Sequence, residues 1–513
     1  MEDSHILAIL SAILLSLAFP KFNLWFIAYI ALIPFFIELD RAKNNSYKKM
    51  AFLGVLFGLP FMLIQHSCLL ELKAFSTPLL IQIAWLSYGF ILSFFWALFA
   101  VLYKYFNFKK LLIPFIWVCI EYLKSIGIFG NTVGSIANSQ VENLAIAQLS
   151  WLGGPYLISF FVVTINIFLY CSFAKLKEGE RKGSFYLVTY PIVLFLTVLI
   201  LGNLKINYYS DLKLNQKSSI PIAIIQANHK QSYKLKFKNR HKIRNDYIKL
   251  SQEAIQTHQA KLIVFPETIS PSLNLNDHNF IEKLQQLSKN NETAIILGTP
   301  RLDKENKSFF NSVSLIEPNK ALKQHYDKIK LFPFGEYWPF KRTTKWLGLG
   351  SFIPEEDFTP AQHKKLLTIN ALNLKIAPAI CLESMYTWHF NNHFFNNANL
   401  LVVIANHAWF KNSSAAKQHL NQSILRAIEN NRYLIQAANT GISAIISPNG
   451  LLLSKSSLNT QKIIYGYVQA KTKLTPFSKL GNCIVYISFL LLVLSRFRFF
   501  NYFLVKFFKH KIR

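Results

Sequence analysis

The chain has 513 residues, of which 52% are hydrophobic, 45 are Phe and only 16% are charged; the formal net charge is +30 and there are five cysteines. This composition excludes a string of soluble domains, a disulfide scaffold and a disordered chain, and describes a polytopic membrane protein carrying one polar segment. The excess positive charge does not require nucleic acid: although 230–244 is dense in Lys and Arg, most of the basic residues flank apolar runs, as anchors beside anionic headgroups do.

Eight apolar runs are expected to span the bilayer: His5–Pro20, Leu24–Glu38, Met50–Leu70, Leu79–Phe106, Leu111–Ile128, Gly154–Phe173, Phe185–Asn203 and Leu480–Leu494. A hydrocarbon core about 30 Å thick asks for this kind of charge-poor stretch. The first run has an acidic flank, Glu2 and Asp3, and no small-residue cleavage pattern before Pro20, so it reads as an uncleaved span. Exits from even-numbered runs are basic: Arg41, Lys43, Lys48 and Lys49; Lys104, Lys109 and Lys110; Lys175, Lys177, Arg181 and Lys182; then Arg496 and the tail to Arg513. Positive charge in short loops stays cytoplasmic, which predicts two cytoplasmic termini and a polar segment on the outer face. The predicted domains are 1–204 with seven spans, an outer segment 205–476, and 477–513 with the last span and a basic tail.

In the polar segment, short apolar runs alternate with helix-like stretches. Strands are predicted at 220–226, 260–265, 293–298, 374–380 and 400–405, and helices at 239–258, 279–289 and 415–429. Residues 434–439 and 443–447 look like a hairpin. Strands alternating with helices indicate an α/β layered domain.

Cys381 is the one cysteine outside the apolar runs, because Cys68, Cys119, Cys171 and Cys483 all fall within them. It ends a predicted strand, Glu267 follows another, and Lys328 lies in the segment His325 to Glu336. Strand ends of α/β sheets face the crevice where ligands bind. Singly these residues have ordinary readings: a core thiol, a turn carboxylate and a solvated lysine. Together they form a possible nucleophile, base and oxyanion partner. His389 and His393 have helical spacing but no third ligand, so no metal or other cofactor is expected.

Glu, Lys and Cys in this chain order resemble the catalytic set of the nitrilase superfamily. Phe265-Pro266-Glu267-Thr268, Lys328 with Pro333-Phe334-Gly335-Glu336-Tyr337, Cys381 with Glu383, Ala408-Trp409-Phe410, and Gln418-His419 with Arg426 and Glu429 resemble more closely its membrane-bound branch, the apolipoprotein N-acyltransferases. Leu17-Ala18-Phe19-Pro20 and Leu24-Trp25 are also similar, and Glu121-Tyr122-Leu123 and 153–166 fit more loosely. The resemblance implies an αββα sandwich in the bacterial periplasm beside a multi-pass inner-membrane domain.

It also implies a ping-pong acyltransferase. Cys381 would take an acyl chain as a thioester from a phospholipid, phosphatidylethanolamine by expectation, with Glu267 as base and Lys328 as oxyanion partner. The chain would then pass to the α-amino group of a diacylglyceryl-cysteine apolipoprotein. Glu336 and Glu383 would support Lys328 and the pocket, although Glu383 also suits a helix N-terminus. Trp338, Trp346, Phe352 and Trp409 are candidate lipid contacts, the first three on an arm spanning 337–352 that would dip into the interface; ordinary packing is the other reading of these aromatics. A monomer is expected.

The chain departs from the branch at several positions. His407 and Lys411 stand where Asp and Gly are usual, Leu382 follows Cys381 in place of Tyr, Leu235 or Phe237 occupies the place of a Trp, and Asn482 that of an Asp. Two other functions compete: a tethered amidohydrolase using the same thioester, and a transporter whose polar domain binds ligand. Eight spans exceed what a tether needs. Glu121, almost the only charge inside a span, is too little for a transport relay.

Overall fold

The computed structural model describes residues 5–72, 77–107, 109–211, 219–269, 278–303, 305, 307–346, 348, 357–390 and 397–497. The chain forms two compact units, Met1–Tyr209 with Lys479–Arg513, and Ser210–Ser478.

Among the described residues of the first unit four helices are long and apolar enough to cross a membrane: Tyr47–Gln65, Pro78–Tyr105, Leu149–Lys177 and Arg181–Tyr208. Ser46 and Thr77 cap the first two by accepting from Lys49 N and Leu80 N. Those two helices pack closely because Gly54 faces backbone: a Cβ there would lie 2.3 Å from the Trp96 carbonyl oxygen. Leu149–Lys177 kinks at Gly153–Gly154, where Gly154 takes φ 73°.

The other four apolar runs form shorter pieces. The first, fifth and eighth contain helices of 12, 13 and 12 residues, Ile6–Leu17, Ile113–Ser125 and Cys483–Leu494. The second is broken into a 3₁₀ turn, Trp25–Tyr29, and a helix, Ile33–Arg41. Asn166 explains how the break survives away from water. Its amide donates to Ala28 O at 2.8 Å and its carbonyl accepts from Leu32 N at 3.0 Å, satisfying backbone groups that a continuous helix would have paired internally. Glu121 is buried and accepts from Trp117 Nε1, Ser135 Oγ and Ile136 N, so this carboxylate ties a loop to its helix.

Among the described residues the second unit is built on two six-stranded sheets. One contains β1 (Ile220–Gln226), β2 (Leu262–Val264), β3 (Ala294–Asp303), β4 (Ser308–Ile316), β5 (Gln324–Asp327) and β12 (Lys462–Val468), in the order β12-β1-β2-β3-β4-β5. The other contains β6 (Leu367–Ile369), β7 (Leu374–Ile380), β8 (Leu400–Ala405), β9 (Tyr433–Ala438), β10 (Ala444–Ile446) and β11 (Leu452–Lys455), in the order β11-β10-β9-β8-β7-β6. Each sheet has a parallel centre, β1-β2-β3 or β7-β8-β9, and antiparallel margins.

Period-two alternation splits each central strand between two cores. Ile222, Ile224 and Val264 face Ile376, Ile380, Val402 and Ile435 across the sandwich. Ala223, Ile225, Ile263 and Leu297 point the other way, onto Ile243 and Tyr247 of α1 (Arg240–His258) and Leu284 of α2 (His278–Asn291). The five predicted strands and three predicted helices are present, β1, β7 and β8 with the predicted ends and the others shifted at one or both ends, the third helix being α3 (Ala415–Asn430). β9 and β10 pair antiparallel as the predicted hairpin. Strands β4, β5, β6, β11 and β12 were not predicted.

Candidate active site

Three strand ends supply the expected catalytic residues. Glu267 follows β2, Lys328 follows β5 and Cys381 follows β7. Glu267 is held close to β3: a Cβ on Gly298 would lie 2.7 Å from Glu267 Cα and 2.6 Å from the Pro266 carbonyl oxygen, so only glycine permits this approach. Ile269 N donates to Gly298 O across the same gap. Lys328 is anchored from behind by Asp327, which takes a bidentate contact from Arg301 at 3.1 and 2.7 Å.

Cys381 stands at a sharp turn from β7 into the 3₁₀ segment Cys381–Met385, with φ 50°. This left-handed conformation is costly for a residue with a side chain and is held here by the surrounding bonds. Cys381 is partly exposed, whereas Glu267 and Lys328 are buried.

Charges converge below the thiol. Lys328 Nζ lies 2.8 Å from Glu336 Oε1 and 3.5 Å from Glu267 Oε1. Burial alone would lower the Lys328 pKa, but the Glu336 and Glu267 carboxylates outweigh it and hold the ammonium above its ordinary value. Burial is the main cause raising Glu267, and Glu336 adds to it, against Lys328, Asn311 and Lys234. Burial and the Glu267 charge push the Cys381 thiol up to about 12, against Lys328 and a hydrogen bond from the Asn406 backbone. The resting thiol is therefore protonated, beside a carboxylate more basic than usual. Such a set can generate a thiolate in place and balance an oxyanion with a fixed ammonium.

The two supporting carboxylates have separate tasks. Glu336 accepts from Lys328 Nζ, from Asn311 Nδ2 at 2.7 Å and, through its other oxygen, from Phe332 N at 2.7 Å. Glu383 does not contact the ammonium. It is fully buried and accepts from Tyr326 Oη and Ile329 N, each at 2.7 Å, from Lys330 N at 3.1 Å and from Ile380 N at 2.9 Å. It thus ties the backbone after Lys328 to the backbone before Cys381, and its bond to Ile380 N is also the helix-entry contact expected of it.

The candidate lipid contacts are dispersed. Trp338 is half-buried, donating from Nε1 to Thr344 Oγ1 at 3.0 Å and packing edge-on to Phe334. Trp346 is 82% exposed at the end of the helix Lys341–Trp346, so it does not join the buried cluster. Trp409 is half-buried in the turn after β8. Phe352 lies outside the described residues, with most of 347–356, and so does His393. His389 is buried, and its Nε2 bonds to Pro378 O at 2.9 Å.

Two polar residues beside the cluster were missed in the sequence. Asn311, buried on β4, donates to Glu267 Oε1 at 2.8 Å as well as to Glu336, so one amide spaces two carboxylates. Lys234 is buried and donates to Thr268 O, next to Glu267; burial lowers its pKa to about 7 despite the Glu267 charge.

Comparison with known proteins matches both units. Residues 221–476 fit the carbon-nitrogen hydrolase family, and residues 11–168 the apolipoprotein N-acyltransferase N-terminal domain. The apolipoprotein N-acyltransferase of Geobacter metallireducens is 25% identical over 91% of this chain and 89% of its own length. Those of Wigglesworthia glossinidia brevipalpis and Aquifex aeolicus are each 27% identical, covering 94% and 90% of this chain and 95% and 99% of their own. With both units matched in order and the relatives aligned nearly end to end, the chain belongs to the apolipoprotein N-acyltransferase family.

Proposed function

We propose that the chain transfers a fatty acyl group from a membrane phospholipid to the N-terminal amine of a diacylglyceryl-cysteine apolipoprotein, through a thioester on Cys381. The observation that carries this reading is that Glu267, Lys328 and Cys381 follow three strand ends, with Lys328 Nζ 3.5 Å from Glu267 Oε1.

Glu267 takes the thiol proton as Sγ attacks the ester carbonyl carbon of the donor. Lys328 and the backbone N–H of Leu382 receive the developing oxyanion. As the intermediate collapses the C–O bond breaks, Glu267 returns the proton to the leaving oxygen, and a lysophospholipid departs. In the second half the acceptor amine attacks the thioester carbonyl. Glu267 takes the ammonium proton and passes it to the departing sulfur, leaving an amide and the resting thiol. Glu336 keeps the Lys328 ammonium in place, and no cofactor is needed.

All eight apolar runs span or enter the bilayer in this reading, and the basic even-numbered exits put both termini in the cytoplasm and the sandwich, 205–476, in the periplasm of a bacterial inner membrane. Phosphatidylethanolamine is the proposed donor, Trp338, Trp346, Phe352 and Trp409 the lipid contacts, and the enzyme works as a monomer.

The test offers purified protein a phospholipid with a labelled acyl chain, then a diacylated lipopeptide. Transfer predicts label in a peptide amide that appears only when the lipopeptide is present. Release of free labelled fatty acid at the same rate with or without lipopeptide would make the protein a hydrolase.

A further inference from the structure

The dipeptide Asn406-His407, at the end of β8, reaches Cys381 from two sides. The Asn406 backbone N–H faces the thiol and favours its ionised form. His407 acts through a second ring: its Nε2 lies 2.9 Å from His419 Nδ1, and His419 Nε2 lies 3.0 Å from the Cys381 carbonyl oxygen and 2.6 Å from Ser384 Oγ. Ser384 Oγ donates to the same carbonyl at 3.0 Å.

The proton positions follow from the end of this chain. A carbonyl oxygen only accepts, so His419 Nε2 carries hydrogen. Both rings are neutral: burial, reinforced by Lys328, lowers His419 to about 4, and burial, reinforced by His419, puts His407 well below its ordinary value. A neutral His419 protonated at Nε2 has a bare Nδ1, which accepts from His407 Nε2–H. His407 Nδ1 is then unprotonated, and it is buried without a hydrogen-bond partner. Gly441 backs onto it so closely that a Cβ there would lie 2.2 Å away. The chain therefore runs one way, from His407 to His419 to the Cys381 carbonyl.

That carbonyl belongs to the peptide plane whose other face carries the Leu382 N–H. In a trans peptide the two groups point in opposite directions, so gripping the oxygen aims the hydrogen. The grip matters because Cys381 sits at φ 50°, a well that a side-chain-bearing residue leaves readily. An aspartate at 407 would accept from His419 Nδ1–H; His419 would then bond to the carbonyl only as an imidazolium. The histidine at 407 delivers the same grip without a second cation beside Lys328.

We propose that His407 and His419 are positioning residues that hold the Cys381–Leu382 peptide so that the Leu382 N–H serves as an oxyanion donor alongside Lys328. The proposal rests on the acyl-transfer reading of Cys381. Its signature is selective: thiol acylation builds an oxyanion, whereas alkylation by iodoacetamide displaces iodide and builds none.

The full-length protein in detergent is treated separately with an activated fatty-acyl ester and with iodoacetamide, and modification of the Cys381 peptide is followed by mass. His407→Phe keeps an aromatic ring but removes the donor, and His407→Gln retains an amide N–H in its place. The expected result is acylation slowed about tenfold to a hundredfold in His407→Phe, with alkylation at the wild-type rate and with acylation largely retained in His407→Gln. Wild-type acylation in His407→Phe, an equal loss in both variants, or a parallel loss of alkylation would overturn the proposal. If the wild-type protein is alkylated at Cys381 but never acylated, the acyl-transfer reading itself fails.

Discussion

Lys328 Nζ rests 2.8 Å from Glu336 Oε1, closer than its 3.5 Å to Glu267. The ammonium is thus held mainly by a carboxylate that is not the proposed base, which leaves Glu267 free to exchange a proton with the thiol. Removing the two carboxylates has different consequences. Glu267→Gln deletes the base and is expected to slow thioester formation by about a hundredfold to ten-thousandfold. Glu336→Gln keeps the shape but weakens the hold on Lys328, with an expected loss of about tenfold to a hundredfold. Single-turnover rates of Cys381 acylation measure both, and a larger loss in Glu336→Gln would contradict this division of labour.

Asn311 stabilises the charged form of Glu267 through its amide N–H. The Glu267 pKa is already raised by burial, and Asn311→Leu raises it further by removing a donor to the carboxylate. The base must be ionised to act, so activity is lost as pH falls through this pKa. The acid limb of the pH–rate profile should accordingly move to higher pH in Asn311→Leu, with the rate partly recovered in alkaline buffer. An unmoved limb would show that the amide does not tune Glu267.

Glu383 accepts four hydrogen bonds while fully buried. Glu383→Ala leaves those donors without their acceptor, at a cost of about 3–5 kcal/mol as for other broken buried networks. The thermal transition of the second unit should fall in Glu383→Ala, measured as intrinsic fluorescence of the detergent-solubilised protein. Glu336→Ala, at a half-buried position, should lower it less.

The strand ends were legible in the sequence because buried parallel strands read as unbroken apolar runs and the chemical residues follow them directly. Cys381 after Ile376–Ile380 and Glu267 after Leu262–Phe265 are of this kind. Asn311 was not: β4 places polar Asn311, Ser312 and Ser314 among its apolar residues, and the contact to Glu267 joins positions 44 residues apart. β12 was hidden likewise, because its alternating residues describe a sheet margin and only its pairing to β1 makes it a strand. In the membrane unit the apolar run Leu24–Glu38 gave no sign of its break, since Asn166, distant in sequence, supplies the bonds that make it tolerable. His407 was visible only as a departure from the family pattern. Its meaning depends on His419 and on the Cys381 carbonyl, neither of which lies nearby in the chain.

In acyl transfer of this kind Cys381 carries the acyl chain between donor and acceptor. The most direct measurement is the intact mass of the Cys381 peptide after the purified protein is incubated with phospholipid alone. The expected result is a fatty-acyl increment that hydroxylamine removes, that is absent from Cys381→Ala and that disappears when a diacylated lipopeptide is added. An unmodified Cys381 peptide in protein that nonetheless converts lipopeptide to its amide would contradict it.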